Sequence, residues 1–224
     1  MQAARLNDTF GSPLAGGDFN HDGRPDLAIP GFYAPAVYTI LNAGHNTFTR
    51  GPTLLLQSGV NVIAAGDFNN DGYGDLALLN GNEVDIYLGN GSGFHGPVTY
   101  KVGANPQAMV VRDLNGDGSR DLIVANHDSD DVSILLGKGD GSFEPARTFP
   151  AGKGPTSLAI GDFNRDGKLD LAVGGDTMQI LLGRGKGEFS PPVSYPARGP
   201  VSFVAVADLR GNGLEDLLAT LRVR

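Results

Sequence analysis

The chain contains no cysteine and no tryptophan among its 224 residues. Without cysteine there is no disulfide framework, no zinc ribbon and no thiol nucleophile. This is compatible with the cytoplasm and with a bacterial exterior that does without disulfides. No run of about 18 apolar residues occurs, so no membrane-spanning helix is expected. Bases are outnumbered: 17 Lys and Arg stand against 25 Asp and Glu, a formal charge of −8. That balance argues against a nucleic-acid partner, whose phosphates call for a basic face. The opening Met1-Gln2-Ala3-Ala4-Arg5 lacks the apolar core of a secretory signal. If the protein is exported, the chain is expected to begin after its signal. No segment holds a helical period over about 11 residues, so no helix is expected either.

What is abundant is glycine, 34 residues, without the triplet period of collagen. With 40% apolar and 19% charged residues the composition is globular, and the glycines point to many turns. The turns recur. DFNHDGRPD begins at Asp18, and its relatives begin at Asp67, Asp113, Asp162 and Asp208, at spacings of 49, 46, 49 and 46 residues. A second landmark, Phe48, Phe94, Phe143 and Phe189, stands 19 residues before the next loop aspartate in every case. Repetition at this period indicates an array of like units, here starting near residues 10, 59, 105, 154 and 200, the last incomplete.

Each unit reads as four short strands. An apolar strand such as Val62–Gly66 or Ser157–Gly161 precedes the acidic loop, and one such as Asp75–Leu79 or Asp121–Ala125 follows it. A third ends in a glycine-rich turn, as at Ser133–Gly139, and a fourth lies around Val98–Tyr100 or Val193–Tyr195. Gly, Asn and Asp punctuate them because tight turns need positive φ or side-chain bonds to the backbone. Four strands per period of about 47 residues is the arithmetic of a β-propeller blade, whereas solenoid repeats are shorter or helical. The expectation is a single all-β domain over 1–224, a propeller of four-stranded antiparallel blades with five repeats.

The pattern DFNxDGxxDLAV, followed by a strand ending LLGxGxGxF, resembles the FG-GAP/VCBS repeat of integrin α-subunits and many bacterial surface proteins. The resemblance covers nearly the whole chain. It implies a propeller with calcium in the hairpin between the first two strands of each blade, and a secreted or cell-surface location.

The loop chemistry points the same way. Calcium takes six to eight oxygen ligands at roughly 2.3–2.6 Å in a forgiving geometry. The first loop offers Asp18, Asn20, Asp22, Asp26 and the Arg24 carbonyl, with Gly23 at the bend. The second offers Asp67, Asn69, Asp71, Asp75 and the Tyr73 carbonyl; the third Asp113, Asn115, Asp117, Asp121 and the Ser119 carbonyl; the fourth Asp162, Asn164, Asp166, Asp170 and the Lys168 carbonyl. Converging carboxylates would repel by roughly 1–4 kcal/mol per pair at about 4 Å and intermediate dielectric, which a cation relieves. An EF-hand is excluded, because its twelfth position is a glutamate and here it is Ile29, Leu78, Val124 or Val173. Magnesium, which demands strict octahedra, suits the loops less well. In the fifth loop, Asp208 and Asp216 remain but Arg210 and Asn212 replace the middle ligands. That speaks against calcium there and positions Arg210 to bridge the aspartates. Twelve of the 25 acids lie in the four intact loops, so four calcium ions would bring the formal charge of −8 to zero.

Closure is expected by a shared fifth blade, with residues 1–9 supplying a strand beside the two C-terminal ones. The alternatives are a fragment of a larger ring, such as a seven-bladed one, or completion by a second copy across an exposed edge. A ligand is expected on the face opposite the acidic loops. Six residues before each loop aspartate stand Ser12, Asn61, Gln107, Thr156 and Ser202, a candidate polar ring at the channel mouth. Two residues later the positions are apolar: Leu14, Ile63, Met109, Leu158 and Val204. Phe32 and Tyr33 could stack on a sugar or pack on a neighbouring blade, and His127 sits in an acid-rich turn that could take a cation. Three functions remain open: a binding or adhesion module for a carbohydrate or protein, a metal-dependent hydrolase of phosphoesters or lactones with its site at the channel, and a structural spacer. The sequence lacks GxSxG and HExxH, but a channel site assembled from separate blades would leave no linear motif.

Overall fold

The computed structural model describes residues 14–31, 33–60, 62–212 and 215–221. Among them there are only strands and turns, arranged as five successive units. The first unit is β1 (Ala15–Gly17), β2 (Asp26–Pro30), β3 (Ala36–Gly44) and β4 (Thr47–Leu55), paired in chain order. The second is β5 (Ile63–Gly66), β6 (Asp75–Asn80), β7 (Glu83–Gly89) and β8 (Phe94–Lys101). The third is β9 (Pro106–Arg112), β10 (Asp121–Asn126), β11 (Asp131–Leu135) and β12 (Arg147–Pro150).

In the fourth unit, β13 (Ser157–Gly161), β14 (Asp170–Gly174), β15 (Met178–Leu181) and β18 (Val193–Tyr195) form the sheet. Its glycine-rich turn carries a small ribbon, β16 (Gly183–Gly185) with β17 (Glu188–Phe189). The described part of the fifth unit is a two-stranded sheet of β19 (Val201–Ala207) and β20 (Asp216–Leu221). All pairings are antiparallel, and the innermost strands β1, β5, β9, β13 and β19 lie beside one another in that order. These are the blades of a β-propeller. The strand expected from residues 1–9 lies outside the described residues.

The second strands explain the packing. A strand sends successive side chains to opposite faces, and in a stack of sheets both faces are covered. Leu122 and Val124 accordingly join Phe68, Ala77 and Ile86 of the second unit, while Ile123 and Ala125 join Leu158, Leu171 and Val173 of the fourth. This is why DLIVAN and DLALLN read as continuous apolar runs instead of alternating. Four such clusters lie between successive units. Aromatic edges fasten them, Phe19 against Phe94 at 6.1 Å and Phe68 against Phe143 at 5.4 Å between ring centroids. The landmark phenylalanine is thus a wedge for the loop of the preceding unit: Phe143 is buried, whereas Phe48 of the first unit is 57% exposed. On the fifth unit, Val201 and Val204 face the fourth, and Phe203, Leu218 and Leu221 are exposed.

Candidate functional site

The four acidic loops share one conformation. The fourth residue of each (His21, Asn70, Gly116, Arg165) and the glycine at the sixth (Gly23, Gly72, Gly118, Gly167) all have positive φ. Two left-handed residues curl the loop so that side chains one, three and five turn inward. The first aspartate then accepts the backbone N–H of the glycine, at 2.7 Å for Asp18, 3.0 Å for Asp67, 3.0 Å for Asp113 and 2.9 Å for Asp162. Asn20, Asn69, Asn115 and Asn164 accept the N–H of the fifth residue. Asp22, Asp71, Asp117 and Asp166 accept the N–H of the seventh, that is of Arg24, Tyr73, Ser119 and Lys168. These bonds hold the Asp117 and Asp166 carboxyls below the usual range.

The ninth residue does something the spacing did not announce. Asp26, Asp75, Asp121 and Asp170 are fully buried, and both carboxylate oxygens of each accept backbone N–H groups. One bond goes to the second loop residue, from Phe19, Phe68, Leu114 and Phe163 at 2.7–2.9 Å. The other comes from the end of the third strand, from Asn42, Gly89, Gly137 and Gly183 at 2.7–2.8 Å. The carboxylate is a clamp between loop and third strand. In three of the four units the strand end it holds is the glycine of an LLG-type sequence, and in the first it is Asn42. A Cβ at Gly89 would stand 2.2 Å from the Gly74 carbonyl oxygen, and one at Gly137 equally close to that of Arg120. Burial pushes Asp75 up to about 6, opposed by the two N–H bonds and reinforced by the Asp71 and Asp67 charges. Asp121 is raised for the same reasons, with Asp117 and Asp113 as the like charges.

With the ninth carboxylate turned into its clamp, no three His, Asp or Glu side chains among the described residues gather as a group able to hold a metal ion. The inward side chains of each loop are instead two carboxylates and an amide, with hard oxygens of the kind calcium takes. In the fifth loop Arg210 pairs with Asp216 through two guanidinium nitrogens, filling the centre with a side-chain cation.

Neighbouring loops are tied together. His21 Nδ1 lies 2.8 Å from the Gly72 carbonyl, its ring tilted on Tyr73, and the Gly74 N–H donates to the Asp18 carbonyl at 2.6 Å. Glu215 of the fifth unit accepts the Asp162 N–H at 2.8 Å. His21 is thus a loop-to-loop contact.

The opposite face carries a groove between the third, fourth and fifth units. It comprises a cavity of about 180 Å³ lined by His127, Thr156, Gly175, Asp176, Pro200 and Ser202 among others. Beside it is a more open one of about 350 Å³ that shares His127, Gly154 and Asp176 and adds Asp128, Asp130 and Lys153. His127 Nδ1 lies 2.6 Å from an Asp128 carboxylate oxygen, and that carboxyl is held below its usual range by His127 and then by Asn105. Of the expected ring, Thr156 and Ser202 therefore come together with His127. Gln107 is not part of this lining and donates to Asn105 Oδ1 at 2.6 Å. Ser12, Asn61 and Phe32 lie outside the described residues. Tyr33 is 96% exposed, so it is not packed into a neighbouring blade.

Blades, loops and wedges define a β-propeller built from acidic-loop repeats. The family model for the FG-GAP-like repeat matches three times, over residues 18–78, 67–124 and 113–173. The chain belongs to that family. No match is found among proteins of curated function. Among solved structures, an Agrocybe aegerita lectin described as recognising non-reducing terminal N-acetylglucosamine is similar, with a TM-score of 0.66 and 21% identity over 93% of this chain. BBS1N, solved in complex with ARL6DN, matches at a TM-score of 0.58 and 14% identity over 88% of this chain. The chain spans 61% and 58% of those two chains, respectively.

Proposed function

We propose that this chain is a carbohydrate-binding propeller module, stabilised by calcium and secreted or displayed at a cell surface. The observation that carries the reading is the groove on the face opposite the acidic loops. There His127, Asp128, Asp130, Lys153 and Asp176 offer carboxylates, an imidazole and an ammonium along about 350 Å³ of open space, and Thr156 and Ser202 add hydroxyls in the adjoining cavity of about 180 Å³. Paired acceptors and donors of this kind match the hydroxyls of a sugar, each of which both donates and accepts. The likeness in fold to a lectin supports trying carbohydrates first.

Calcium belongs to the other face. Asp18, Asn20, Asp22 and the Arg24 carbonyl would hold it in the first loop, with their counterparts in the second, third and fourth and the ninth aspartates behind them. A bound cation would neutralise the like charges that raise Asp75 and Asp121. It would stabilise the fold and take no part at the groove.

A glycan array containing N-acetylglucosamine, followed by calorimetry of the hits, tests the binding. His127→Ala and Asp176→Asn should each weaken the best glycan at least tenfold with the melting temperature unchanged. Binding that survives both substitutions would refute the groove. Turnover of phosphoesters or lactones, abolished by the same changes, would favour the hydrolase.

A further inference from the structure

A second cavity, of about 300 Å³, lies between the first two units and shares no residue with the groove above. It is lined by the connection Leu56, Gln57, Ser58 and Val60, by Leu78 and Asn80 of β6, by Glu83, Asp85 and Tyr87 of β7, and by Pro97 and Thr99 of β8. Its polar centre is Asp85, 8% exposed. The carboxylate accepts Asn80 Nδ2 at 2.9 Å and Thr99 Oγ1 at 2.6 Å. Both partners are neutral, and the lining contains no lysine, arginine or histidine. Taking a carboxylate out of water without a counter-cation costs several kcal/mol, which neutral hydrogen bonds offset only in part.

The third and fourth units differ at this position. Asp85 stands opposite Leu78 across the sheet; Ser133 stands opposite Val124 and Gln179 opposite Val173 at the same place in the third and fourth units. There the connection carries glycine ten residues before the loop aspartate, at Gly103 and Gly152. Each packs on the polar residue: the Gly103 N–H donates to Ser133 Oγ at 3.3 Å, and a Cβ at Gly152 would stand 2.7 Å from Gln179. In the second unit the residue at that position is Gln57, and the space is a cavity. Of the three positions, that of the second unit holds the acid and lines a cavity.

We propose that this cavity receives a protonated amine or guanidinium carried on an aliphatic stem. The cation would pair with Asp85, with Glu83 at the rim, and the stem would lie on Leu56, Val60, Leu78 and Tyr87. A lysine or arginine side chain of a partner protein and a free polyamine share this chemistry.

Titrating the whole chain with n-butylamine and n-butanol, followed by nuclear magnetic resonance shifts of the Leu78 methyls, separates charge from shape. The amine should bind at least tenfold tighter than the alcohol. Comparing cadaverine with Nα-acetyl-lysine amide then distinguishes a free amine from a protein side chain. Asp85→Asn should abolish the preference for charge while the blade remains folded. Equal binding of alcohol and amine, or an unchanged preference in Asp85→Asn, would overturn the proposal. Failure of the glycan experiment would leave it standing, because the two cavities are lined by different residues.

Discussion

At the scale of the residue, backbone conformation governs the acidic loops more than contact does. Gly167 has φ of +80°, and a Cβ there would meet nothing within 4 Å. Alanine at that position therefore creates no clash, and its cost is the left-handed backbone alone, about 1–2 kcal/mol. Denaturant unfolding of Gly167→Ala should show a loss of that size with an unchanged m-value. A loss as large as a core truncation would mean that the loop makes contacts beyond those described. The Asp-Gly pairs in the sequence already spoke for this conformation. The left-handed His21 and Arg165 could not be read in the same way, because non-glycine residues there depend on the loop around them.

The element scale brings in the hairpin and its clamp. Asp121 holds the N–H of Leu114 and that of Gly137, two donors 7 and 16 residues away from it in the chain. Asp121→Ala would leave both buried and unbonded, at about 1–3 kcal/mol each before the relief of removing a desolvated carboxylate. The net expectation is a loss of about 2–4 kcal/mol, with Asp121→Asn intermediate because one amide oxygen remains to accept. Urea melts of the pair give the order, and equal stability of the alanine variant would contradict the clamp. Here the sequence was legible in part. The spacing grouped the ninth aspartate with the first, third and fifth. It could not show that burial under the third strand would commit both its oxygens, since the strand arrives from beyond the loop. The strand boundaries themselves were legible to within a few residues: Ser157–Gly161 and Val193–Tyr195 coincide with β13 and β18, the first set between Gly154-Pro155 and the loop aspartate Asp162, the second between Pro192 and Pro196.

For the whole molecule the question is what holds five thin sheets in one stack. Each unit buries its faces only against neighbours, as the four inter-unit clusters show. Loss of one joint therefore propagates to the next. If four calcium ions bind with dissociation constants near 10⁻⁴ M, millimolar calcium contributes about 1.4 kcal/mol per site. Chelation should then lower the melting temperature by roughly 10–20 °C, taking about 2–4 °C per kcal/mol for a chain of this size. An unchanged melt by calorimetry would remove calcium from the account. Replacing Asp162, which loses one loop, should lower the melt by about a quarter of that amount.

By itself the sequence determined the repeat, the all-β class, the four strands of a unit and the acidic loops between the first two. All of these rest on local chemistry: left-handed glycines, short apolar runs bounded by turns, and oxygen-bearing side chains at fixed intervals. Only the tertiary structure decided how the units use what they share. It paired loop phenylalanines with the wedge of the next unit and brought Thr156, Ser202 and His127 to one groove from three units. It also left Asp85 facing a cavity where its counterparts Ser133 and Gln179 meet a glycine of the connection. The physical reason is that each of these contacts joins residues of different units, and their geometry exists only once the sheets are stacked.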